Sequence, residues 1–209
     1  MRGRGRSAAG LAAAVAAALT AGSAGALALA PGGVGGSERV ERFETARVED
    51  GRVLADGLTA RPLGPADVRA GWSGGPGGGA LGLENLGPDP GPAFGGAAGR
   101  ALSTLDLSWP YGLALEFDRE VAAVAALWVA GDRPWRARAE SADGGLVDAA
   151  EIAPGAGRLS LEGDSIARLI LESPEGWDWI YLDDLVTRDA TGLAAAAGVP
   201  RAVASAPAG

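Results

Sequence analysis

The sequence predicts an all-β domain, and three features of it say so. Short runs in which apolar and polar residues alternate, each about five to nine residues long, recur from Glu38 to about residue 189. Gly, Asp and Pro, the residues that favour turns, separate these runs. The stretch "SADGGL" at 141–146 contains Asp143-Gly144, which supplies the positive φ that a tight hairpin needs.

Taken in order, the predicted strands are 40–46, 52–54, 80–85, 101–109, 112–117, 122–130, 135–141, 147–152, 158–162, 167–172 and 179–187. In 112–117, "GLALEF", Leu113, Leu115 and Phe117 form an apolar face opposite Glu116. The run "AAVAALWVAG" at 122–131 is nearly all apolar and places Trp128 in the core, whereas Trp109 and Trp135 flank turns. The middle of the chain, 64–99, differs from the rest. It is rich in Gly and Pro and reads either as a partly ordered excursion or as a loop system shaping a cleft, with Trp72 and Phe94 as contact residues.

The two ends lie outside the predicted domain, 38–189. Arg2, Arg4 and Arg6 precede the apolar run Leu11–Leu19, and A-x-A patterns follow at Ala24-Gly25-Ala26 and Ala28-Leu29-Ala30. That layout predicts a secretory signal peptide over 1–30 and a secreted protein, extracellular or periplasmic. Residues 31–37 read as a flexible lead-in. The tail, 190–209, reads as disordered or weakly helical. No second apolar run follows the leader, so the mature chain is expected to have no membrane span.

Composition narrows the chemistry. Without the leader, 15 of the 18 arginines face 26 acidic residues, a net charge near −11. Such a balance opposes nucleic-acid binding, which neutralises phosphates with Lys and Arg. The chain has no His, Cys or Lys. It therefore lacks disulfides, Ser-His-Asp and Cys-His catalysis, the usual zinc ligands and Schiff-base chemistry. Carboxylates, hydroxyls and hard-cation binding through oxygen remain.

The stretch "LALEFDREVAAV", 113–124, puts Glu116, Asp118 and Glu120 at alternate positions. Its E-x-D-x-E spelling resembles the catalytic strand of laminarinase-like jelly-roll glycosidases, in which the first and last Glu are nucleophile and acid/base. On a regular strand, positions i and i+4 lie about 13 Å apart. A retaining pair needs its carboxyls about 5–5.5 Å apart, so a bulge would have to intervene. With a clean apolar face opposite, the acids read first as the wet side of a half-buried strand. A carboxylate glycosidase using Glu116 and Glu120 is the alternative.

A wider resemblance covers about half of the mature chain. The segment 113–129 resembles the pattern L-x-F-D-x-P-V-x-A-V-G-F of exported bacterial β-sandwich domains of galactose-binding-like type, the kind found in proteins with PEP-type sorting tails. "ARAESADGGLV" (137–147), "LSLEGDSIARLILES" (159–173) and "WIYLDDLVT" (179–187) resemble the following hairpin and strands of that family in order, and "RVERFET" (39–45) its opening strand. Glu120 and Ala125 stand where Pro and Gly are common, and the sorting tail is missing. The resemblance implies a two-sheet antiparallel β-sandwich, or jelly roll. Many family members bind sugars, and some hold a structural calcium near the first and last strands. The matching carboxylates here are Glu44, Asp183 and Asp184.

The aromatic residues offer a second site. Trp177 and Trp179 flank Asp178 and would share one side of a strand, giving a platform for sugar rings with Asp178 or Asp132 accepting hydroxyl hydrogen bonds. Trp72 joins them as a ligand-contact candidate. The expected function is a secreted, non-catalytic binding module for polysaccharide or envelope components. A structural or assembly protein working through protein contacts is the other non-catalytic reading.

Overall fold

In a computed structural model, residues 37–67, 78–91, 94–108, 112–130, 132–174 and 178–190 are described. The strands are β1 (Glu38–Glu41), β2 (Arg47–Glu49), β3 (Arg52–Ala55), β4 (Leu58–Pro62), β5 (Gly78–Gly79), β6 (Gly82–Gly87) and β7 (Gly99–Ser103), followed by β8 (Leu107–Ser108), β9 (Gly112–Ala130), β10 (Trp135–Glu140), β11 (Leu146–Ile152), β12 (Ala156–Glu172) and β13 (Ile180–Asp189). A 3-10 turn spans Pro65–Asp67. The pairings in the main sheet are antiparallel, as the all-β prediction requires.

Two long strands organise everything else. β9 and β12 pair along their whole lengths, and both change register in the middle, around residues 117–120 of β9 and 163–165 of β12. The first half of β9 continues outward through β4, β3 and β2, while the matching half of β12 continues through β10 and β11. The second half of β9 pairs with β13, which carries β7 and then β6 at one end and β1 at the other. One hydrogen-bonded network thus folds over into the two layers of a β-sandwich, joined through two bent strands.

The core lies between the layers. Leu113, Leu115, Ala137, Ala139, Leu169 and Leu171 from the first layer share one cluster with Val124, Ala126, Trp128, Leu161, Leu182 and Leu185 from the second. In β9 the inward positions change from odd to even across the bend, which is what its register shift requires. Trp128 and Trp135 meet at its centre, with ring centroids 5.5 Å apart and planes at 71°. Each large buried side chain here contributes about 1.5–3 kcal/mol relative to exposure. With no disulfide available, packing of this kind holds the layers together.

The structure departs from the predicted strands in four places. The runs 112–117 and 122–130 are one strand, as are 158–162 and 167–172, because a bulge bends a strand without ending it. β2 and β4 escaped the pattern because they are short, and β4 ends in a proline. The predicted strand 40–46 stops at Glu41: buried Phe43 takes a left-handed conformation, φ 58°, and Glu41 accepts its N–H. Within the predicted run 101–109, Thr104–Asp106 interrupt the strand and divide it into β7, in the main sheet, and β8, which pairs with β5.

Candidate functional site

The start of β13 is fixed by hydrogen bonds on both sides. Asp178, 3 % exposed, accepts from the N–H groups of Asp132 and Arg133 at 3.1 Å each, and from Trp179 N–H and Trp135 Nε1 at 2.9 Å each. Ile180 donates its N–H to Thr104 Oγ1 at 2.9 Å, and Thr104 N–H returns a bond to Ile180 O. Strand alternation then sends Ile180 and Leu182 into the core and Trp179, Tyr181 and Asp183 to the outer face of the second layer.

On that face an aromatic patch assembles. Tyr181, 8 % exposed, lies 5.0 Å from the half-buried Trp179 at 62° and 6.1 Å from the half-buried Phe94 at 26°. Ala97, Ala101, Leu127 and Val129 form its floor, and Leu86 packs beside it. Phe94 arrives from the connection between β6 and β7. Phe94 N–H bonds Gly91 O, Ala97 N–H bonds Phe94 O, and Ala98 N–H reaches Asp183 Oδ2 at 3.1 Å. Gly95, at φ 60°, comes so close to β12 that a Cβ would lie 2.8 Å from that of Ala156.

The electrostatics of the patch suit uncharged hydroxyl partners. Burial, aided by the nearby charge of Glu84, raises the Tyr181 phenol above its ordinary value of 10, so it stays neutral as donor and acceptor. Glu84 stands exposed on β6. Aromatic faces beside a neutral phenol and a carboxylate can pack on C–H surfaces while exchanging hydrogen bonds with hydroxyl groups.

The predicted ligand residues are divided by the fold. Trp179 sits in the patch. Asp178 points away from it and is occupied by the N–H groups of the β9–β10 turn. Trp177 and Trp72 lie outside the described residues, as do the leader, most of the lead-in and the tail beyond Ala190. Phe94, proposed as a contact residue of a cleft, packs against Tyr181; Tyr181 itself was not named from the sequence, although "WIY" spells its alternation with Trp179.

Glu116, Asp118 and Glu120 take separate places. Glu116 lies on the outer face of the first layer, where Arg61 Nη2 and Nε donate to it at 2.7 and 2.9 Å. Asp118 and Glu120 belong to the bend, the former exposed, with its backbone N–H on Gly57 O. Arg61 also grips Asp67 of the 3-10 turn, at 2.6 and 3.1 Å. The pattern continues across the sheet: Arg168 donates to Glu140 at 2.6 Å, and Arg138 donates to Glu140 at 2.9 Å, to Glu172 at 2.7 Å and to Asp67 O. This is an ion-paired pavement spanning β4, β9, β12 and β10, and sequence periodicity gives no sign of it.

The acids proposed for calcium do come near one another. Burial pushes the Asp183 carboxyl above its ordinary 3.8, and the charges of Asp184 and Glu44 add to the rise. Their oxygens already have donors: Asp183 accepts from Ala98 and Asp184 N–H, Glu44 from Arg100 N–H, and Asp184 from Arg42 Nε. No group of three metal-ligating side chains gathers among the described residues. This donor set does not fit a calcium cage, which needs six to eight oxygens turned to one point.

No family model matches the sequence, and no curated protein does either. Several solved structures are similar in shape. A family 29 carbohydrate-binding module in complex with mannohexaose aligns with TM-score 0.44 and 13 % identity, over 74 % of this chain and 93 % of its own. A second family 29 module, from Piromyces equi, aligns at 0.43 and 10 %, over 74 % and 91 %. A family 61 module in complex with beta-1,4-galactotriose aligns at 0.40 and 12 %, over 71 % and 94 %. The sandwich described above rests on this chain's own strand pairings.

Proposed function

We propose that the chain is an exported, non-catalytic carbohydrate-binding module that holds a polysaccharide or envelope glycan on the outer face of its second layer. The observation that carries this reading is the grouping of Trp179 and Tyr181, from β13 and its entry, with Phe94, from the β6–β7 connection, over the outer face of the second layer. Tyr181 is rigidly aimed by β13 and the rings on either side pack against it, so the patch binds with little loss of conformational entropy. Export is supported by the basic, apolar and small-residue sequence of 1–30.

Retention of the protein on soluble polysaccharides in affinity electrophoresis tests the reading, and glucans, mannans and galactans are the first to try. Trp179→Ala is expected to weaken retention at least about tenfold, the loss of one well-packed aromatic contact. The circular dichroism spectrum should not change. Undiminished retention by this variant would overturn the site. Hydrolysis of any of these polysaccharides, abolished by Glu116→Gln, would instead support a glycosidase.

A further inference from the structure

The aromatic patch is built from two separate pieces of chain, and the Asp183 carboxylate hydrogen-bonds from one to the other. Trp179 and Tyr181 belong to β13 and its entry. Phe94 belongs to the connection between β6 and β7, whose own hydrogen bonds are local turns and whose Gly95 and Gly96 stand at φ 60° and 104°. Two adjacent glycines in left-handed conformations leave a short segment with few intrinsic restraints. Among the described residues, Ala97 packs this segment onto the sheet beside Phe94, and the bond from Ala98 N–H to Asp183 Oδ2 anchors it through a side chain of β13.

Asp183 is itself unusual. It is a carboxylate only 4 % exposed, on the same face as Tyr181 and two residues further along the strand. Burying a charge is costly unless its hydrogen bonds repay the lost water. Its two oxygens make two such bonds of different reach. Oδ1 accepts the N–H of Asp184, at 2.7 Å, where β13 carries an extra residue and Asp184 adopts φ 44°. Oδ2 spans 85 positions of sequence to Ala98.

We propose that Asp183 is a positioning residue for ligand binding, which sets Phe94 against Tyr181 by anchoring the 94–98 segment and so completes the second half of the patch. This rests on the carbohydrate-binding reading of the same patch. Asp183 need not touch the ligand. Its contribution reaches the ligand through Phe94, and the two residues form one energetic unit.

The test has one arm without ligand and one with it. In NMR spectra of the free protein, Phe94→Ala should remove the ring-current shift that Phe94 imposes on the Tyr181 ring resonances. Asp183→Ala should remove it to a similar degree, and Asp183→Asn, which keeps a carbonyl acceptor, should retain most of it. In titrations with mannohexaose and cellohexaose, Phe94→Ala and Asp183→Ala should each weaken binding about tenfold. The double variant should be no weaker than the worse single one, because coupled residues are not additive. A merely structural Asp183 would lower the melting temperature and leave the Tyr181 shifts and the affinity unchanged, which overturns the proposal.

Wild-type affinity in Phe94→Ala overturns it too, and that variant removes nothing from the bulge of β13. These outcomes are separable from failure of the functional reading. There, wild-type protein binds no polysaccharide, or Trp179→Ala binds as well as wild type.

Discussion

Two buried tryptophans at the centre of the sandwich differ by one hydrogen bond. Trp135 donates its indole N–H to Asp178, whereas Trp128 Nε1 is buried without a hydrogen-bond partner among the described residues. An unmet buried donor costs about 1–3 kcal/mol, so removing it offsets part of the volume lost with the indole. Trp128→Phe should therefore destabilise by about 1 kcal/mol or less. Trp135→Phe should cost about 2–4 kcal/mol, since it takes volume from the core and a donor from a buried carboxylate. Urea unfolding of both variants decides this, and equal losses would show that the hydrogen bond is immaterial. Asp178 also shows how far a single residue is legible. The sequence marks it as an acid between two tryptophans, and that spelling suggests a ligand. Its four N–H partners appear only when β13 lies beside the β9–β10 turn.

Among the elements, the ion-paired outer face of the first layer has the most direct consequence. Asp67, 1 % exposed, is held by arginines from β4 and β12, while its backbone carbonyl receives Arg138 from β10. Burial pushes its carboxyl up, but hydrogen bonds from Arg61 and Gly64 N–H, with the charges of Arg61 and Arg168, outweigh that and hold it below the ordinary 3.8. A carboxyl depressed on folding adds stability above its unfolded value and loses it as pH falls through the folded one. Asp67→Asn should thus cost about 3 kcal/mol at pH 7, the scale of breaking a buried ion pair. That difference should shrink as the pH drops below about 3.8. A difference constant down to strongly acid pH would remove charge as the cause. Much of this element escaped the sequence pattern. Alternation placed Glu116 on the outer side of β9, which is where it lies. Its partner could not be foreseen, because Arg61 sits on β4, a five-residue strand ending in Pro62 that alternation does not single out.

For the molecule as a whole, the bends in β9 and β12 decide the architecture. Gly163, in the bend of β12, is pressed by Val147 of β11, whose Cγ1 would lie 2.0 Å from an added Cβ. Gly163→Ala should destabilise by about 1–3 kcal/mol through overpacking, and Val147→Ala in the same chain should recover most of the loss. Thermal unfolding of the single and double variants measures that recovery, and simple additivity would mean the two sites do not touch. The crowded acids at the chain's two ends lead to another expectation. Because N–H groups already serve Glu44, Asp183 and Asp184, the melting temperature should be the same in calcium and in chelator. A rise of several degrees with calcium, reversed by chelation, would show binding to the native state and refute that assignment of donors.

What the sequence determined alone was sidedness. Leu113 and Leu115 face inward and Glu116 outward, Trp128 is core, and Gly144 turns a hairpin at φ 81°. Alternation and backbone conformation are local properties, set by covalent geometry over a few residues. Tertiary structure alone decided that two pairs of predicted strands are two long bent ones, that Phe94 meets Tyr181, and that three arginines close around Asp67. Each of those depends on cross-strand register and on contacts between distant segments, as with Ala98 and Asp183 across 85 positions. No local period encodes such a contact, because its free energy is gained only when the chain closes on itself.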